Sequence, residues 1–501
     1  MEAQTKNCQN CKNDFRIEPE DFEFYAKIKV PPPTFCADCR LQRRLAWRNE
    51  KGLYKRKNNT PGRDNEIISI YPDSSDVTVY TNSYWWSDAW DPKSYGQDYD
   101  FSRPFFEQFA ELLHKVPLID LFDQNGINTN YCNTVVNHKN CYMVTAGWDN
   151  EDSMYSNRIS FCKETFDSYT CHKTEFCYDC INCKDSYKLF YSELSFNCTD
   201  SNFLFDCRNC VSCTLCTNLR NKSYCFLNKQ YTKEEYNELV KDLKLDTISG
   251  VKNAREKFEK LKEESIHKYA ELTNCVNTTG DNMENSKNAK YCFDLAGGVE
   301  NAKYCNWGTY GLSDSYDTGP GTGGKSELTY EGISIGVANT NCKFGGILWN
   351  SQNVEYAFNC YGLKNCFGCI SLRNAEYCIL NKQYAKEEYF ELVEKIKKQM
   401  NEMPYIDKQG IEYKYGEFFP IELSPFPYNG TVAQDFFMID KNKAGEKSYK
   451  YEDEVKRNYE ASLTSDNLPE TIKEVGDEIY EEIIECENSS KNYPNCSHAF
   501  R

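Results

Sequence analysis

Residues 213–240 read CTLCTNLRNKSYCFLNKQYTKEEYNELV and residues 366–393 read CFGCISLRNAEYCILNKQYAKEEYFELV, with 19 of 28 positions identical at an offset of 153. Self-similarity on this scale marks duplicated architecture. Each copy closes a tract rich in cysteine and aromatic residues, residues 132–231 and 275–384, and the two tracts read as equivalent domains. Within them Tyr187, Leu189, Tyr191, then Leu194, Phe196, Cys198, then Phe203, Phe205, Cys207 follow a period of two, matched by Tyr356, Phe358, Cys360. That alternation predicts short strands. Between them recur polar corners such as Asp152 to Tyr155, Asp185 to Tyr187, Asn288 to Tyr291 and Asn301 to Tyr304. Short strands with loose periodicity predict a mainly β fold built as a β-solenoid, specifically a right-handed parallel β-helix in two duplicated tracts. A β-sandwich would call for longer strands and clearer hairpins.

Outward from the repeats, Thr232 and Glu235 fit a capping box ahead of an amphipathic helix carrying Tyr236, Leu239, Val240 and Leu243. A second helix with Ala254, Phe258, Leu261 and Tyr269 on one face predicts a helical hairpin insertion over 232–274. The second copy predicts a helix over 385–403 with a weaker cap, since Ala385 replaces Thr232. Residues 59–131 read as an aromatic-rich connecting segment and 404–485 as an extension. Residues 486–501 hold Cys486 and the run Asn495-Cys496-Ser-His-Ala-Phe500-Arg501, which echoes Asn10-Cys11-Lys-Asn-Asp-Phe15-Arg16. They read as the truncated start of a second zinc module.

The first module spans residues 1–58. Cys8-x-x-Cys11 and Cys36-x-x-Cys39, two knuckles separated by 24 residues, have the spacing that brings four thiolates onto a structural Zn2+. Four cysteine ligands leave no open coordination position, which argues against a catalytic metal. Arg40, Arg43, Arg44 and Arg48 follow directly, a basic helix suited either to nucleic-acid phosphates or to pairing with this protein's own acidic groups.

These knuckles, together with Phe15, Phe24-Tyr25, Pro31-Pro32-Pro33 and Arg43-Arg44, resemble a treble-clef zinc-ribbon domain. Further on, Tyr84-Trp85-Trp86-Ser87-Asp88 and Arg103-Pro104-Phe105-Phe106 are similar to an uncharacterised bacterial family of cysteine-rich repeat proteins. Some members of that family carry a CaiB/BaiF label, which no residue pattern here supports. The resemblance implies architecture and no activity.

The 27 cysteines and five histidines mean that any zinc site is mainly thiolate. A net charge of −17 excludes a protein that coats nucleic acid over its whole surface. No apolar run suits a signal or a membrane span, so the expected location is cytoplasmic, without a membrane partner.

Two further motifs suggest chemistry. Cys207, Cys210, Cys213 and Cys216 have iron–sulfur-like spacing, but copy two places Leu363 where copy one has Cys210, which favours buried thiols over a second metal site. Gly319 to Ser326 matches a phosphate-binding loop, with Gly324, Lys325 and Ser326 as candidate nucleotide ligands, although its flanks read as strand and not as strand then helix. Trp85, Trp86 and Trp90 beside Asp88, Asp91, Asp98 and Asp100 would suit a sugar platform or simple aromatic packing. The expectation is a zinc-binding β-solenoid that serves as a binding or scaffolding module for nucleic acid or protein, with no small-molecule substrate established by its motifs. The alternatives are a carbohydrate-active or nucleotide-dependent enzyme, or a redox or second-metal protein.

Overall fold

The structure, a computed structural model, describes residues 2–453, 460–489 and 499–500. From Asn125 to Leu227 every third residue has a positive φ, and from Cys132 to Cys216 every third residue, the one following each of those, is buried. The repeating unit is therefore a triplet: one residue in the left-handed region, one pointing inward and one in extended pairing. A left-handed conformation costs an ordinary L-residue about 1–2 kcal/mol, less for asparagine or aspartate. Asn125, Asn128, Asn137, Asn140 and Asp152 accordingly occupy such positions. They also hydrogen-bond to one another twelve residues on, Asn128 Nδ2 to Asn140 Oδ1 at 3.0 Å and Asn140 Nδ2 to Asp152 Oδ1 at 2.9 Å.

Backbone pairing follows the same step. Lys163 pairs with Glu175, Tyr178 with Phe190, Asn202 with Thr214 and Cys213 with Cys225, all parallel and all twelve residues apart. In the second tract the step is 12 residues from Cys342 to Val354 to Cys366 to Cys378, but 14 from Tyr316 to Tyr330 and 13 from Tyr330 to Lys343.

The inward position explains the cysteine content. From Cys132 to Cys225 there are 13 cysteines, and each falls on the inward place of a triplet, buried and outside any disulfide. A thiol there donates to the carbonyl two residues back and often to the one nine residues on, as Cys180 Sγ does to Tyr178 O at 3.5 Å and Leu189 O at 3.2 Å. Serine fills the same place, Ser186 Oγ donating to Lys184 O at 2.8 Å and accepting from Cys198 N–H at 3.2 Å. The interior holds small side chains that carry a weak donor, and cysteine combines that size with apolar character.

The expected period of two is corrected by this arrangement. Leu189 is fully buried, whereas Tyr187 is 36% exposed, because the inward step is three residues and not two. The chain as a whole is mixed α and β with parallel sheets dominant, not simply mainly β.

Two compact units are present. One comprises Met1–Phe122 with Lys268–Glu452, the other Asp123–His267 with Asp453–Arg501. In the second unit, helices Lys233–Asp242 and Ile248–Glu263 lay Tyr236, Ala254 and Phe258 on Phe203, Phe205, Leu215 and Phe226. Thr232 and Glu235 form the expected capping box. Tyr269 does not join this packing, being fully exposed. The helix Lys386–Glu402 of the first unit has no side-chain cap at Ala385. The Cys496 echo lies outside the described residues, although Ile484–Glu485 pairs antiparallel with Ala499–Phe500.

Candidate metal centre and the buried arginine network

Strands Gln4–Asn7 and Asp14–Ile17 pair antiparallel, and the turn between them carries Cys8 and Cys11, with Lys12 in the left-handed region at φ 64°. Cys8 N–H donates to Asn13 O at 2.9 Å and Lys12 N–H to Cys8 O at 3.1 Å, which closes the knuckle. The second knuckle opens the helix Ala37–Leu45, with Cys36 at its N-cap, where the positive end of the helix dipole favours a thiolate.

The four Sγ atoms all lie within 4.8 Å of one another, and Cys11 Sγ is 3.7 Å from Cys36 Sγ. Tetrahedral thiolates at a Zn–S distance of about 2.3 Å are roughly 3.8 Å apart, so the donor set fits such a metal. Outer contacts support the sulfurs: Cys36 N–H donates to Cys8 Sγ at 3.3 Å and Asn10 Nδ2 to Cys39 Sγ at 3.2 Å. A hydrogen bond from Cys39 pulls the Cys36 thiol down to about 5, and the same bond pushes Cys39 up. Among the described residues no other group of three or more histidine, cysteine, aspartate or glutamate ligand atoms converges in this way.

The helix that begins at the metal centre ends in carboxylates. Arg40, Arg43 and Arg44 are 2%, 1% and 1% exposed. Arg40 Nη2 donates to Asp317 Oδ2 at 2.8 Å, Arg43 Nη2 to Glu331 Oε1 at 2.7 Å and Arg43 Nη1 to Glu417 Oε2 at 2.8 Å. Arg44 Nη1 bridges Asp317 Oδ1 at 3.2 Å and Glu331 Oε2 at 3.3 Å. Three cations thus face three anions. Burial raises the Glu331 carboxyl, opposed by Arg43 and Arg44. Neighbouring aromatics complete the joint, Phe24 stacking on Tyr316 at 3.8 Å and the Arg40 guanidinium lying 5.5 Å from the Tyr304 ring centre. Arg48 Nε pairs with Glu50 at 2.6 Å, and its Nη1 donates to Ser334 Oγ.

Of the two readings of this basic helix, nucleic-acid phosphates or this protein's own acidic groups, the structure shows the second: Arg40, Arg43, Arg44 and Arg48 are turned inward and held by internal carboxylates and a hydroxyl. The carboxylate partners were not singled out in the sequence. A usable signal was present in the dipeptides Tyr316-Asp317 and Tyr330-Glu331, an aromatic followed by an acid, at paired positions of neighbouring parallel strands.

The other candidates fall elsewhere. Cys207, Cys210, Cys213 and Cys216 are all buried inward positions; hydrogen bonds with Cys198, Cys207 and Cys213 pull Cys210 down, but these sulfurs do not converge as a ligand set. Gly324 and Lys325 lie between the short strands Thr322–Gly323 and Ser326–Glu327, with no helix after them, and Ser326 Oγ is buried, donating to Gly336 O at 2.7 Å. The glycines there answer a packing need. Gly321 has φ +78°, and a Cβ on it would stand 3.0 Å from Arg48 Nη1. Trp85 is buried against Trp86 and Tyr361, and Asp98 pairs with Lys382, so this cluster is aromatic packing.

A scan against protein-family models matches none, and a search of curated proteins finds no relative. No helix among the described residues is long and apolar enough to cross a membrane.

Proposed function

We propose that the chain is a zinc-stapled β-solenoid that acts as a binding or scaffolding module for a protein partner in a reducing compartment. The observation that carries this reading is the coupling of the two features above. The helix that starts at the four-cysteine centre is the same one whose arginines enter carboxylates on the parallel ladder. In this reading Cys8, Cys11, Cys36 and Cys39 hold one Zn2+ in a treble-clef arrangement, and the metal fixes the direction in which Arg40, Arg43 and Arg44 leave the knuckle. A structural zinc contributes on the order of 10–16 kcal/mol to a small module of this kind. The twelve-residue parallel step with an inward residue in every triplet supports a solenoid of four three-residue sides per turn, and such stacks offer long, regular side-chain ladders as binding faces.

The test is zinc removal by a chelator under reducing conditions, followed by limited trypsin digestion. Cleavage after Arg40, Arg43 or Arg44 only once zinc is removed is the expected result. Identical digestion patterns with and without zinc would remove the staple from the account.

A further inference from the structure

The arginine-binding joint of the second tract has a counterpart in the first. Ile379 and Phe226 are equivalent positions of the duplicated segment, 153 residues apart. Counting back five turns from Ile379 through Phe367, Glu355, Lys343 and Tyr330 reaches Tyr316. Counting back five turns from Phe226 through Thr214, Asn202, Phe190 and Tyr178 reaches Phe166. The residues after each endpoint and its neighbour also correspond. Tyr316-Asp317 and Tyr330-Glu331 in one tract match Phe166-Asp167 and Tyr178-Asp179 in the other, and all four acids have positive φ.

The two joints differ in what covers them. Asp317 and Glu331 are fully buried under the arginines of the zinc-module helix. Asp167 is exposed, and its carboxyl is raised by partial burial and by the like charge of Asp179. Asp179 already accepts one guanidinium, that of Arg255, at 2.6 Å. The adjoining face is part-exposed: Tyr155 is 55% exposed, Met143 42%, Tyr131 41% and Tyr178, which hydrogen-bonds Asp167, 37%. Further along the same tract, that kind of surface is covered by Tyr236, Ala254 and Phe258 of the helical hairpin.

In the same unit a second strand pair repeats the pairing that carries the first knuckle. Ile484 pairs with Phe500 and Glu485 with Ala499, as Lys6 pairs with Phe15 and Asn7 with Asp14, and Cys486 follows its strand as Cys8 follows its own.

We infer that Phe166, Asp167, Tyr178 and Asp179 form a second docking site, whose occupant is a Cys-x-x-Cys helix bearing arginines at i, i+3 and i+4, chemically like residues 36–44. Two carboxylates flanked by aromatic rings recognise such a helix through charge-assisted hydrogen bonds and ring stacking. The inference rests on the proposed role of the ladder as a binding face, and it is tested without reference to the first zinc site.

The probe is a fluorescently labelled synthetic peptide, residues 34–48 of this chain, titrated under reducing conditions into the purified full-length protein and followed by anisotropy. Saturable binding is expected, weakened at least tenfold by Asp167→Lys with Asp179→Lys and by Arg→Gln at the peptide positions of Arg40, Arg43 and Arg44. Asp167→Asn alone, at an exposed position, gives a milder loss in the same direction should the double variant fold poorly. Binding that is unchanged in the tract-one variants, equal for a scrambled peptide of the same composition, or absent altogether overturns the inference. The zinc content of the protein, measured in parallel, reports separately on the first module.

Discussion

Arg40 and Asp317 are 277 positions apart in the chain and 2.8 Å apart in the fold, each almost wholly buried. Because Asp317 also accepts from Arg44, its loss strands charge on two buried guanidiniums. Removing one partner of a buried pair costs about 3–5 kcal/mol, mostly as the penalty of the charge left behind. Asp317→Ala should lower the unfolding free energy of the first unit by that amount, measured by urea unfolding, and adding Arg40→Met should recover part of it. A loss of under about 1 kcal/mol would place the pair among marginal surface contacts.

Interior cysteines should tolerate serine. Cys180 and Ser186 occupy the same kind of place and donate to the carbonyl two residues back. Cys180→Ser should stay within about 1–2 kcal/mol of the parent by thermal unfolding. Cys180→Phe should destabilise by about 1–3 kcal/mol or more, since extra volume cannot be absorbed in a close-packed column.

The left-handed positions give the opposite selectivity. Asn140 has φ 51° and is hydrogen-bonded to both Asn128 and Asp152. Asn140→Gly keeps the conformation and loses the bonds, whereas Asn140→Val loses the bonds and adds steric strain of about 1–2 kcal/mol. Comparing the two variants by urea unfolding isolates the strain, with valine expected to be the less stable.

His138 is an inward residue beside Asn150, 2.9 Å from its Nε2, and burial lowers its pKa to about 4. The folded pKa lies below the ordinary value of about 6.5, so the folded state favours the neutral ring. Its contribution is fully present above about pH 6.5 and is lost as pH falls towards 4, roughly 3 kcal/mol in all. His138→Asn should remove that share of the acid sensitivity. Superimposable stability curves for parent and variant between pH 6.5 and 4 would contradict it.

The sequence displayed the duplication, the knuckles and the helix cap at Thr232 because each rests on local identity or short spacing. The ladder was half legible. Cys207, Cys210, Cys213 and Cys216 spelled out the triplet step, but Tyr187, Leu189 and Tyr191 imitated ordinary strand alternation, since two of every three residues in a triplet face outward. Internal pairing of Arg40, Arg43 and Arg44 was one of the two readings their charge allowed, but which acids hold them was not legible from their own neighbourhood. Their partners Asp317, Glu331 and Glu417 arrive from more than 270 residues away, and only the fold brings them together.

The central claim, a zinc held by Cys8, Cys11, Cys36 and Cys39, is tested most directly by elemental analysis of protein purified under reducing conditions, compared with a Cys8→Ser and Cys39→Ser double variant. The account predicts one zinc and no iron per parent chain, and less than a tenth of that zinc in the variant. A parent without zinc, or a variant that retains it in full, would contradict the account.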